Sequence, residues 1–214
     1  MQNDNATPRS AAAKANPRAA SVRVKALPLS RAKSQRMHDL RIGEQPNYVD
    51  GDRKHLNRVL MPLRSLPAIH RENEALRGER GCQKKMKSNA AAVMSGIITF
   101  GHQAQVMFAC LSDEQQDAAY VEVAERAAAL LQTQLEGLVV HADESADHAH
   151  FMLRGYCDDG EPVSKRATYQ AMSQLQDMVA EVLQHYCPDI ERGNGKWDRI
   201  ANGADYAETL SRSV

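Results

Sequence analysis

Apolar residues recur along the chain at two different periods, and the switches between them mark the predicted elements. In SVRVKAL (21–27), Val22, Val24 and Ala26 alternate with Arg23 and Lys25, as in a strand with one buried face. AAAVMSGIITF (90–100) is an apolar run of strand length and gives a second strand. GLVVHA (137–142) and HAHFMLRGY (148–156) give a third and a fourth, separated by a short polar turn. After Ser112 the period becomes helical: Tyr120, Val123, Ala124, Ala127, Leu130 and Leu131 share a stripe, and Gln115 three residues beyond Ser112 gives a capping-box start. A second long helix is predicted over Ser164–Tyr186, with Tyr169, Met172, Leu175, Met178, Val179, Val182, Leu183 and Tyr186 on one stripe and Pro188 ending it. Residues 68–87 are charged and helix-compatible, interrupted by Gly78 and Gly81. Elements mixed in this way, around a central hairpin, predict an α+β fold with an antiparallel sheet flanked by helices.

Three stretches carry no core pattern. Residues 1–20 are rich in Ala, Asn and Pro and lack periodicity; they are expected to form a disordered arm, leaving 21–214 as one domain. Residues 31–58 are polar and basic, with loop signals at Gly43, Pro46 and Gly51, and are expected to stay outside the core. The tail from 191 is polar, with Trp197 its expected anchor.

Composition narrows the class. A chain of 214 residues, 43% hydrophobic and 25% charged, suits one soluble domain with a sizeable core. No apolar run approaches the ~18 residues of a membrane span, and the N-terminus lacks an apolar signal-peptide core. Cys82, Cys110, Cys157 and Cys187 contain no C-x-x-C pair and read as free thiols of a reducing compartment, so a cytoplasmic location is expected. The formal net charge is zero, yet residues 1–90 hold 19 Lys and Arg against 8 Asp and Glu, and the remainder reverses the balance. A basic half suits an anionic partner such as nucleic acid; mutual neutralisation of the two halves explains it equally well.

The chemistry concentrates in HADESADHAH (141–150). His148 and His150 are two apart, so on a strand both leave the same face. If His141 lies opposite either of them across the hairpin, three imidazoles converge; a slip of one residue turns His141 away. Three neutral imidazoles on one face leave coordination positions open, which suits a catalytic divalent metal. Asp143 and Glu144 are near enough to complete the shell or orient a ligand. The competing reading is a polar turn that happens to be rich in histidine.

A second candidate is His38, among Arg31, Lys33, Arg36 and Arg41. Like charge disfavours its protonated form, and a neutral imidazole is a usable nucleophile or base. Arg41 has the fork to hold a phosphate bidentately. The plainer alternative is a solvated or phosphate-contacting histidine. Tyr48 is the other candidate nucleophile, or simply a loop anchor.

These residues together resemble a known family. H-x-D-E-x-x-x-H-x-H between two strands is similar to the metal motif of the Mob/Pre (MobV-class) plasmid mobilisation relaxases, within the HUH endonuclease superfamily. His38-Asp39-Leu40-Arg41 resembles the family's His-Asn-x-Arg motif, and His55-Leu56-Asn57 its His-Leu-Asn element. Gly160 to Lys165, the long helix and Glu191-Arg192-Gly193 follow in the family's order. The resemblance spans about residues 21–210. It implies a site-specific enzyme that nicks one DNA strand at a transfer origin and stays attached to the 5′ phosphate, serving plasmid mobilisation or recombination. It implies His38 as nucleophile, with Tyr48 the alternative, and His141, His148 and His150 as ligands of Mn2+ or Mg2+. Glu144 matches the acidic position, as a fourth ligand or an orienting group. Arg41, with Arg31, Lys33, Arg36, His55 and Asn57, would grip the DNA, a hairpin plus single strand. Asp39 replaces the usual Asn, putting negative charge near a phosphate, and Asp147 stands where Pro is common, loosening the turn. Two rival readings remain: a metal-dependent phosphohydrolase with a non-DNA substrate, and a non-catalytic metal-containing DNA-binding module. Activity without DNA and without any covalent adduct marks the first; origin binding independent of His38 and metal marks the second.

Overall fold

The computed structural model describes residues 14–209. Among these, six strands form one sheet: β1 (Ala19–Pro28), β2 (Arg58–Met61), β3 (Ala91–Phe100), β4 (Leu135–His141), β5 (His148–Arg154) and β6 (Glu191–Arg192). Their order is β2-β4-β5-β3-β1-β6, antiparallel throughout except where β6 joins β1 in parallel. The helices are α1 (Leu29–Asp39), α2 (Leu66–Glu79), α3 (His102–Phe108), α4 (Asp113–Leu130), α5 (Val163–Arg166), α6 (Tyr169–Tyr186) and α7 (Lys196–Ala201). The predicted α+β class and the four principal strands hold.

Alternation along the strands sorts the two faces. Val22, Ile98, Leu138, Val140, Phe151 and Leu153 point to one side, where α4 and α6 cover them with Tyr120, Val123, Ala127, Leu175, Val179 and Leu183. Gly96 lets the Phe151 ring lie flat on the strand; a Cβ there would sit 2.1 Å from the ring. On the opposite face Leu27, Val93, Val139 and Met152 meet Ala32 of α1 and Leu66 and Ile69 of α2 in a smaller core. The histidines of β4 and β5 share that second face. The Ser112–Gln115 capping box of α4 is formed as predicted.

Four expectations need correction. Residues 31–58 are not all loop: α1 occupies the first part, with only Ala32 and Asp39 buried, so its apolar signal is weak. The second long helix is two, because Ala167 leaves helical geometry and the Thr168 side chain caps α6 at Ala171; Tyr169 is 75% exposed and off the buried stripe. Trp197 is exposed rather than an anchor, its ring lying beside Lys196. Of the expected arm, residues 1–13 lie outside the described residues, whereas Asn16 and Arg18 are tied to Glu191 and Asp189 and β1 begins at Ala19.

The end of α1 governs the site. Ile42 N–H donates to Met37 C=O at 2.8 Å and Arg41 N–H to His38 C=O at 3.0 Å, which is a Schellman closure. Arg41 takes the left-handed position of that closure, with φ 51°, where glycine is usual.

Candidate active site

The register of the hairpin answers the question the sequence left open. His141 pairs with His148 across β4 and β5, and His150 pairs with Val139, so all three imidazoles leave one face. Their ring centroids lie 4.9–5.2 Å apart. His38, in the last turn of α1, brings a fourth ring to 5.3 Å from those of His141 and His150.

Each hairpin imidazole has one nitrogen directed away from the others. His141 Nε2 donates to the Asp39 carbonyl at 2.9 Å, and His148 Nδ1 to the Ala146 carbonyl at 2.8 Å. His150 Nδ1 faces Asp39 Oδ1 at 3.8 Å. The remaining nitrogens converge. His148 Nε2 and His150 Nε2 are 3.1 Å apart, the spacing of two ligands at about 2.1 Å from one ion and at roughly a right angle. His141 Nδ1 is buried without a partner, an orphaned lone pair that an ion would satisfy. Glu144 Oε1 completes the group, 4.0 Å from His141 Nδ1 and 3.9 Å from His148 Nε2. Ligand atoms of His141, Glu144 and His148 lie within 4.8 Å of one another, as do those of His38, His141 and His150. This donor set fits a divalent cation.

Electrostatics favours the neutral form of His38, His141 and His150. Burial lowers His141 to about 3, with Arg41 and His148 adding to the fall. Burial, then the other histidines, puts His150 well below its usual value. His38 is lowered by burial and next by Arg41, whose Nη1 lies 3.3 Å from its Nδ1. Neutral imidazoles are what both metal ligation and nucleophilic attack require.

A buried ion network holds the turn. Arg41 Nε donates to Asp143 Oδ2 at 2.8 Å, and its Nη2 to Asp143 Oδ1 at 2.6 Å and Glu144 Oε1 at 2.7 Å. Asn57 donates to Asp143 Oδ2 at 2.6 Å and accepts from Ala142 N–H at 2.8 Å. Burial pushes the Asp143 carboxyl up, but the hydrogen bonds from Arg41 and Asn57 outweigh it and hold the group low. Asp39 goes the other way: burial raises it to about 7, against the Gln35 hydrogen bond at 2.7 Å. Burial thus opposes the full negative charge that the Asp39 side chain is expected to place beside His38.

The family model for plasmid recombination enzymes (Mob/Pre) matches residues 20–207. The chain belongs to the Mob/Pre family. No curated protein matches it. Among solved structures the fold is similar to the MobM relaxase domain bound to a 22-nucleotide plasmid pMV158 oriT DNA with Mn, at TM-score 0.67 and 18% identity over 82% of this chain and 90% of that one. A second Mn-bound complex of that domain gives 0.65 and 17% over 78% and 86%, and a complex with 26-nucleotide oriT DNA gives 0.59 and 15% over 81% and 90%.

The residues singled out in this Mob/Pre chain divide into two groups. His38, His141, His148, His150, Glu144 and Arg41 come together. Tyr48 does not: it is exposed and makes no hydrogen bond or ring contact among the described residues. Arg41 has no free fork for a phosphate, because the carboxylates of Asp143 and Glu144 occupy two of its nitrogens. Asn57 is likewise engaged at both amide atoms and clamps the hairpin instead of facing DNA. His55 is exposed, its Nδ1 bonded to the Asp52 carbonyl within its own turn. Arg31 and Lys33 are exposed on α1, and Arg36 donates to the Arg64 carbonyl. Asp147 is half-exposed, 3.9 Å from Arg53. The Asp39 carbonyl, which holds the outer nitrogen of His141, is a contact the sequence does not disclose, although it singles out the Asp39 side chain. A backbone group leaves no signal in a sequence.

Charge is partly neutralised between the halves, since Arg41, Arg58 and Arg64 pair with Asp143, Asp117 and Glu136. Among the described residues, no helix is long and apolar enough to cross a membrane.

Proposed function

We propose that this chain is a metal-dependent DNA relaxase, a nicking and strand-transfer enzyme acting at a plasmid transfer origin in the cytoplasm. The observation that carries this is the neutral His38 ring set against three converging imidazoles, in a chain of the Mob/Pre family. The Mn-bound, oriT-bound MobM domains of similar fold support DNA as substrate and Mn2+ or Mg2+ as the ion.

His141 Nδ1, His148 Nε2, His150 Nε2 and Glu144 would hold the cation. When bound it supplies Lewis-acid polarisation of the non-bridging oxygens of the scissile phosphate. His38 is the nucleophile. Its unprotonated nitrogen attacks phosphorus, the P–O3′ bond breaks, the departing O3′ takes up a proton and the ring gives one up. The 5′ phosphate stays on His38 as a phosphoramidate, and the retained 3′-hydroxyl allows the strand to be rejoined. Arg41 is a positioning residue that fixes Asp143 and Glu144 and opposes protonation of His38. Arg31, Lys33 and Arg36 contact the DNA backbone.

The test is nicking of supercoiled plasmid carrying the cognate origin, with Mn2+, by the wild-type chain and His38→Ala. The expected result is a protease-sensitive DNA adduct that disappears in the variant. An adduct that survives moves the nucleophile to Tyr48 or to another residue. Tight origin binding without nicking overturns the enzyme reading.

A further inference from the structure

The sheet face that carries the histidines is covered only in part. α1 and α2 lie over Leu27, Val93, Val139 and Met152. Beyond them the same face continues along β1 and β3 as three cross-strand pairs: Lys25 with Ser95, Arg23 with Ile97, and Ser21 with Thr99. All six are half-buried or exposed, whereas Val22, Met94 and Ile98, which point to the other face, are buried. One cross-strand row runs from Val139 through His150 and Ile97 to Arg23. Arg23 therefore stands two strands from a candidate ligand, about 10 Å at ordinary strand spacing.

The cations on this strip differ from the arginines that hold the sheet and hairpin together. Arg41, Arg58, Arg64 and Arg154 are each paired with a carboxylate. Arg23, Lys25 and Arg31 make no ion pair among the described residues. The Arg23 Nε is shielded from solvent and has no hydrogen-bond acceptor. A groove of about 570 Å³ between α1 and the β1–β3 pair is lined by Lys25, Arg31, Ser34, Gln35, Ser95 and His38 itself. The groove thus joins the unpaired charge of Lys25 and Arg31 to His38, and Arg23 follows Lys25 on the same face of β1. Ile97 adds an apolar spot between Arg23 and His150, against which a base or sugar can rest.

We propose that the single DNA strand leading from the scissile phosphate crosses β3 and β1, its backbone phosphates held by Arg23, Lys25 and Arg31. This rests on the relaxase reading and assigns it a path. A run of phosphates a few nucleotides long spans the distance from His38 and His150 to Arg23. Hydroxyls of Ser21, Ser95 and Thr99 offer neutral hydrogen bonds along the same line, the mixture that suits a grip on the backbone without base readout.

The test is fluorescence anisotropy of a labelled oligothymidylate with the full chain, over a series of salt concentrations and with EDTA present so that no ion contributes. Arg23→Gln/Lys25→Gln/Arg31→Gln is expected to weaken binding roughly tenfold or more, and to lower the salt slope by ~0.7 for each phosphate that is no longer neutralised. Arg126→Gln, on the helical layer over the other face, is expected to bind as wild type. Arg23→Lys/Arg31→Lys, which keeps the charge, is expected to retain affinity and guards against a folding defect. Wild-type affinity and slope in the triple variant overturn this path while the DNA reading stands. Failure of the wild-type chain itself to bind overturns both.

Discussion

On one face of the sheet, Val22, Ile98, Leu138, Phe151 and Leu153 meet α4 and α6 in a dry apolar layer. On the other face, one residue further along the same strands, His141, His148 and His150 stand beside Arg41, Asp143 and Glu144, also largely buried. The first face needs only the right volume, because burial of apolar area has no direction. The second needs every partner in place, because a buried charge or imidazole left alone is costly. An ion network such as Arg41–Asp143–Glu144 contributes little net stability compared with well-packed apolar residues of similar size. Its role here is geometric: it fixes the turn so that Glu144 faces two imidazoles. Each face therefore fails in its own way when a residue is removed.

The sharpest break is expected from His148→Ala. Nicking should fall by roughly three orders of magnitude or more, with loss of Mn2+ binding measured by calorimetry and little change in urea midpoint. His38→Ala should abolish adduct formation equally but keep the Mn2+ affinity of wild type. Loss of the ion in that variant would make His38 a ligand rather than the nucleophile. Leu183→Ala, on the apolar face, should cost about 2–5 kcal/mol in urea unfolding and leave the activity of the folded fraction intact. Asn57→Ala leaves the Ala142 N–H without its acceptor and Asp143 without one of its donors. It should cost about 1–3 kcal/mol and also weaken Mn2+ binding by roughly tenfold or more, so it reads on both scales. Ser112→Ala, at the cap of α4, should cost about 1 kcal/mol with no effect on ion or DNA.

The two faces also differ in what the sequence discloses. The apolar one was legible: alternation in β1, the apolar run of β3 and the stripe after Ser112 each report directly on burial. The hairpin histidines were legible because they interrupt two otherwise apolar strands at strand period. α1 escaped because Ala32 and Leu40 are nearly its only contribution to a core, its other residues facing solvent or the site. The partners of Arg41 escaped for another reason. Asp143 and Glu144 lie more than 100 positions away, and no local pattern distinguishes an arginine that will meet phosphate from one that will meet carboxylate. The same holds for Asn57, whose amide matters only once the hairpin is beside it. β6, two residues long, is too short to carry a period at all.

The closure at the end of α1 leaves the Asp39 carbonyl outside its own hydrogen bonds, and the His141 ring takes it up. One imidazole therefore has two ends in use, one toward the ion and one holding the turn that carries His38. Occupancy of the first and order in the second are thermodynamically linked, and linkage is reciprocal. An ion that fixed the His141 ring would steady His38, the proposed nucleophile. With His38 as the proposed nucleophile, a phosphoryl group captured on it that steadies the same turn would, by this coupling, raise the affinity for the ion. Such an enzyme would hold its metal most tightly while the DNA is cut, the period in which release would strand the broken end.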